Sequence, residues 1–156
     1  MREILFRGKR INDSKWAEGS LLRITIGGNT YTLIFGDCFS FDGFDVKSLE
    51  HGLVDSDTVG QYTGLLDKGN NRIFEGDIIK TKRYGKLYLD VTGSAHQFSN
   101  VNDYDVFCVR YHSGVFRLER ENPPRGFNLV SGSELEVIGN IYDNPELLEG
   151  GMTNGN

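Results

Sequence analysis

Apolar residues in this chain come in short runs, and each run ends within a few residues at Gly, Asn, Asp or a charged side chain. That rhythm leaves no room for long amphipathic helices and favours short strands joined by tight turns. The clearest case starts at Leu22: Leu22, Ile24 and Ile26 alternate with Arg23 and Thr25, the period-2 signature of a half-buried strand. Gly27-Gly28-Asn29 closes the run, and Tyr31, Leu33 and Phe35 alternate with Thr30, Thr32 and Ile34 on the return. The pattern predicts a β-hairpin. With 20 Gly and only 3 Pro, the whole chain is supplied with turns of the kind that β-meanders and small barrels use.

Other segments repeat the theme. Ile4 to Arg10 reads as a strand entering a turn at Asn12-Asp13-Ser14. Residues 36–60 are rich in Gly, Asp and Ser and read as a loop and connector with one helical turn near Val46–Glu50. Tyr62 to Leu66 is a strand, Asp67-Lys68-Gly69-Asn70-Asn71 a turn, and Ile73 to Lys80 a strand entered through a bend at Gly76-Asp77. Val106–His112 and Val115–Leu118 flank Ser113-Gly114 as a second hairpin, and Glu136 to Tyr142 is a last strand. Asn144-Pro145-Glu146 then supplies an N-cap, Pro at the first helical position and an acidic first turn, so a short helix follows. The expected fold is mainly β: a small antiparallel SH3-like barrel over 59–149, ending in a short C-terminal helix. An N-terminal hairpin or sheet subdomain with its connector occupies 1–58, and 150–156 form a flexible tail.

Composition narrows the class. Hydrophobic residues at 38% and aromatics at 12% belong to a folded, globular chain. The first residues are charged and no run approaches the roughly 20 apolar residues that span a bilayer, so a cytoplasmic protein with no membrane partner is expected. Cys38 and Cys108 sit in apolar surroundings with no CxxC and no His pair nearby, which predicts buried free thiols, no zinc site and no cofactor. The net charge of −5 is unevenly spread: residues 24–60 carry one basic and six acidic side chains, whereas Lys80 to Lys86 is locally basic. An acidic chain is a poor non-specific binder of polyanions, although a local strip can still make a contact.

Three stretches together resemble a known family. Gly60-Gln61-Tyr62-Thr63-Gly64-Leu65, Asp67-Lys68 and Ile73-Phe74-Glu75-Gly76-Asp77-Ile78-Ile79 resemble the central signature of the YopX-like phage and prophage family. Glu136 to Leu148 is similar to its C-terminal signature, and Phe6-Arg7-Gly8-Lys9-Arg10 with Trp16 and Gly19 to its start. The turn Lys68-Gly69-Asn70-Asn71-Arg72 departs, with Gly before Asn where the family more usually has Asn before Gly, and 36–52 and 82–105 align with no family pattern. The resemblance implies a mostly β, phage- or prophage-encoded protein of a bacterial host that self-associates, with no established reaction and no catalytic residues.

Four constellations are weighed as sites. Glu75 and Asp77, at i and i+2, could share a strand face and hold a hard cation or move a proton with a nearby His. Two carboxylates are too few for a cation cage, however, and Gly76-Asp77 already serves a turn. His51, His96 and His112 fall in no metal or triad spacing. Lys80, Lys82, Arg83 and Lys86, interleaved with Tyr84 and Tyr88, suit nucleic acid, or else a charged edge strand that blocks sheet-to-sheet aggregation. Leu147 and Leu148 serve either a neighbouring subunit or the chain's own core. The reading that results is a non-catalytic, self-associating binding or structural module, not an enzyme, whose partners are copies of itself and a host or phage protein. A nucleic-acid-binding small barrel is the alternative, and a metal-dependent hydrolase ranks last.

Overall fold

In a computed structural model the chain is described over residues 3–36, 50–82, 88–89, 95–96, 104–121, 125–129 and 134–149. It is mainly β, with two antiparallel sheets. The first holds β1 (Phe6–Lys9), β2 (Trp16–Ile26), β3 (Asn29–Phe35), β4 (Gly60–Leu66) and β5 (Arg72–Phe74) in the order β3-β2-β1-β4-β5. β7 (Tyr88–Leu89) and β8 (Ala95–His96) form a separate short pair. The second sheet holds β6 (Asp77–Lys82), β9 (Tyr104–His112), β10 (Val115–Arg120), β11 (Arg125–Asn128) and β12 (Leu135–Asn140) in the order β11-β10-β9-β6-β12. A 3₁₀ turn at Ser56–Thr58 and a helical turn at Glu146–Glu149 are also present; residues 50–52 are helical, and the rest of the helical turn expected near 46–50 lies outside the described residues.

The expected hairpins form. β2 and β3 pair from Ser20↔Phe35 to Ile26↔Asn29, and β9 and β10 pair through Val115↔His112, Phe116↔Tyr111 and Arg117↔Arg110. The expected SH3-like barrel does not close: among the described residues the second ladder runs from β11 to β12 with no pairing between those two edges. The cause lies in where the middle strands go. Residues 60–66 and 72–74, grouped with the second half on sequence, pair in the first sheet as β4 and β5. The second sheet keeps only β6 from that stretch, and its far edge, β12, carries a bulge between Val137 and Gly139.

The chain clusters into two compact units, one of residues 1–65 with 72–75 and one of 66–71 with 76–156. Leu5, Leu33, Ile34, Val54, Tyr62, Ile73 and Phe74 form the buried apolar set of the first. There the Tyr62 and Phe74 rings stand 5.5 Å apart, and the Arg7 guanidinium lies 4.7 Å from the Trp16 ring centre. In the second unit Ile78, Ile79, Phe107, Cys108, Val109, Leu118 and Leu135 are buried. Its ionic anchor is Arg120, whose Nη1 donates to Asp105 Oδ1 at 3.0 Å with both side chains buried. No helix among the described residues is long and apolar enough to cross a membrane.

Candidate functional site

The Gly60–Ile79 stretch is the densest motif of the sequence, and its side chains are spent on architecture. A Cβ at Gly60 would meet the Glu75 carbonyl oxygen at 2.4 Å, so only Gly lets these two backbones pass. Gly76 takes φ +83, its N–H donates to the Val109 carbonyl at 2.9 Å, and its own carbonyl accepts from Ile141 N at 2.9 Å. Thr63 Oγ1 donates to the Ile73 carbonyl at 2.8 Å and accepts from Leu65 N at 3.2 Å. The unusual Gly69-Asn70 order has a simple explanation: Asn70 itself takes the left-handed conformation, φ 63, that Asn tolerates better than most residues.

Asp67 is the hub of the turn. Its Oδ1 accepts from Gly69 N at 2.8 Å and Asn71 N at 2.9 Å, and its Oδ2 from Asn71 Nδ2 and Val137 N, both at 3.1 Å. Burial pushes this carboxyl's pKa up, but the hydrogen bonds from Asn71, Val137 and Gly69 outweigh it and hold the group below its ordinary 3.8. Next to it, Lys68 Nζ donates to Glu136 Oε2 at 2.7 Å, a bond that raises the lysine's pKa. These groups fasten the turn to β12 and point at no ligand.

The other residues singled out on sequence scatter. Glu75 clusters with the first unit and Asp77 with the second, where Asp77 is almost fully buried. Among the described residues no group of three His, Cys, Asp or Glu side chains could hold a metal ion. His112 is exposed at a hairpin tip, its Nδ1 2.9 Å from Ser113 Oγ; His51 is exposed, and His96 pairs with Tyr88 in the β7–β8 ladder. In the basic strip, Lys80 is half-buried with its ammonium 4.2 Å from the Tyr104 ring centre, and Lys82 pairs with Tyr104 in the β6–β9 ladder. Arg83, Tyr84, Lys86, Cys38 and the tail lie outside the described residues. Cys108 is a buried free thiol. Leu147 is half-buried, with its Cδ1 3.0 Å from where a Cβ on Gly139 would stand, and Leu148 is half-buried too.

Two exposed ribbons carry features outside the four sequence candidates. β1 pairs with β2 only over Trp16–Gly19, so from Ser20 to Ile26 the strand has β3 alone as partner among the described residues. The pairs Leu22↔Leu33, Ile24↔Tyr31 and Ile26↔Asn29 gather apolar side chains on one face, and Leu22, Ile26 and Tyr31 there are 38%, 56% and 38% exposed. Beside this ribbon an open groove of about 520 Å³ is lined by Arg10, Ile11, Tyr31, Thr32, Leu53 and Asp55. In the second ribbon, β9–β10, Arg110 stands directly opposite Arg117. The period-2 pattern could have given both faces, but which pairs face water depends on how far each neighbouring strand runs.

Comparison with known proteins bears on the signature. A family model described as YopX protein matches residues 5–149. The chain belongs to the YopX family. The signature of this YopX protein is therefore a set of turns and close backbone passages, as the geometry at Gly60, Asp67 and Gly76 shows. Among solved structures, the YopX chain is similar to protein EF1440 from Enterococcus faecalis, with 22% identity and a TM-score of 0.47 over 95% of this chain and 99% of that one. No curated protein matches it.

Proposed function

We propose that this YopX protein is a non-catalytic accessory module of a phage or prophage that acts in the bacterial cytoplasm by associating with copies of itself. The observation that carries the reading is the β2–β3 ribbon. A two-stranded ribbon is marginal in water by itself, and this one offers Leu22, Ile26 and Tyr31 to solvent on a single face. Its strand edge carries neither Pro nor Lys, the residues that usually blunt such an edge. A second copy covering that face would bury the apolar row and pair the open edge. Leu147 and Leu148 contribute less to this reading, since Leu147 already packs at Gly139.

Light scattering of the whole chain over a range of concentrations tests it. The expected result is an oligomer that Leu22→Asp with Ile26→Asp dissociates while the fold melts normally. A strict monomer at high concentration sinks the proposal. A pull-down from induced host cells would then identify any phage or host protein bound along with the oligomer.

A further inference from the structure

The β9–β10–β11 surface carries a row of hydrogen-bond donors with little acid to answer it. Arg110 on β9 is directly opposite Arg117 on β10, and Arg117 is directly opposite Asn128 on β11. Neighbouring strands lie about 4.8 Å apart, so two guanidiniums and an amide line up across one sheet face over roughly 10 Å. His112, opposite Val115, shares that face at the hairpin tip. Like charges directly opposite each other destabilise a sheet, so the pair is a feature the fold tolerates and does not need. Glu119 Oε1 is 3.4 Å from Arg117 Nε, and Arg110, which is exposed, has no ion-pair partner among the described residues. The Arg117 side chain also leans into the space at Gly126, its Nη2 3.2 Å from where a Cβ would stand. Arg120, one residue out of phase with Glu119, shows the contrast: it turns to the other face and is buried on Asp105.

We propose that this face, through Arg110, Arg117 and Asn128, binds the phosphodiester backbone of nucleic acid. Guanidinium forks match phosphate oxygens in geometry as well as in charge. Arg110 and Asn128 are exposed and Arg117 is half-buried; across such a row of donors the partner that gains most is one that repeats its charge and releases counterions on contact. An acidic peptide would also need pockets for its side chains, which a row of Arg, Arg and Asn does not offer. The site lies farther along β9 than Val106, the ladder partner of Lys80. A chain of net charge −5 makes such binding local and strongly salt-dependent.

The test uses fluorescence anisotropy of the full chain with a labelled single-stranded DNA of about 16 nucleotides at about 50 mM salt. Binding is expected to weaken tenfold or more in Arg110→Gln with Arg117→Gln. The slope of log affinity against log salt should fall by about 1.4, the loss of two single-strand phosphate contacts. Glu119→Gln, which removes the competing acid, should tighten binding severalfold, a gain that misfolding cannot imitate. No binding by the native chain overturns the proposal, and so does binding that the double variant leaves intact, which would move the contact to another strip. Competition by polyglutamate as strong as that of unlabelled DNA overturns the assignment to nucleic acid.

Discussion

The two ribbons of this molecule share a backbone and differ in what they present. From Ser20 outward, β2–β3 carries one charged side chain, Arg23, and shows one face of Leu22, Ile24, Ile26 and Tyr31. β9–β10 carries Arg110 opposite Arg117 on one face, and on the other Tyr111 and Phe116 with rings 5.0 Å apart. At the base of each ribbon the chain is buried, at Leu33 in the first and at the Asp105–Arg120 pair in the second. Burial is therefore concentrated at the bases and exposure at the ends. On the two proposals above, the apolar end takes another copy of the chain and the cationic end takes phosphate.

That division can be broken from the base outward. Asp105→Ala leaves Arg120 buried without its carboxylate and is expected to cost about 3–5 kcal/mol in urea unfolding. Leu33→Ala opens a cavity under the apolar ribbon and should cost about 2–5 kcal/mol in the same measurement. Asp67, which belongs to neither ribbon, supplies a pH test. Its folded pKa lies below the ordinary 3.8, so its contribution is complete above that value and is lost as pH falls through the folded one. Asp67→Ala should cost about 1–3 kcal/mol at neutral pH and flatten the acid limb of stability against pH. At the ribbon ends the effects should nearly vanish. Ile26→Asp is expected to change unfolding free energy by no more than about 0.5 kcal/mol while reducing oligomer size. Arg110→Thr should leave stability unchanged or raise it by about 0.2–0.5 kcal/mol, because it relieves a like-charge pair. A large loss of stability from either end variant would show that the ribbon ends belong to the core after all.

Much of the fold is legible in the sequence. The β2–β3 and β9–β10 hairpins, the bend at Gly76 and the terminal helical turn follow from alternation and turn chemistry, both of which are local. The partners of β4 and β5 are not local: β1 pairs with β4 through Phe6↔Gln61 and Arg7↔Gly60, across more than fifty residues, and nothing in residues 60–74 names that choice. For the same reason the sequence suggested a closed barrel where an open sheet forms. Among candidate sites, the family motif is contiguous in sequence and folds as architecture, with Asp67 accepting from four N–H donors. The Arg110–Arg117–Asn128 row is less legible: the β9–β10 hairpin brings the two arginines together, but Asn128 joins them only through the register of β11, which no local pattern announces.

The division into compact units follows a path that crosses between them three times, at 65–66, 71–72 and 75–76. No single cut in the gene can separate such units. A fragment ending near residue 58 lacks β4 and β5, and one starting there carries them without β1. During synthesis, the first sheet must wait for residue 74 to leave the ribosome before its last strand exists, by which time the turn that fastens to β12 has already been made. Exchange of either half of the signature would leave each sheet without strands it needs from the other side of the join.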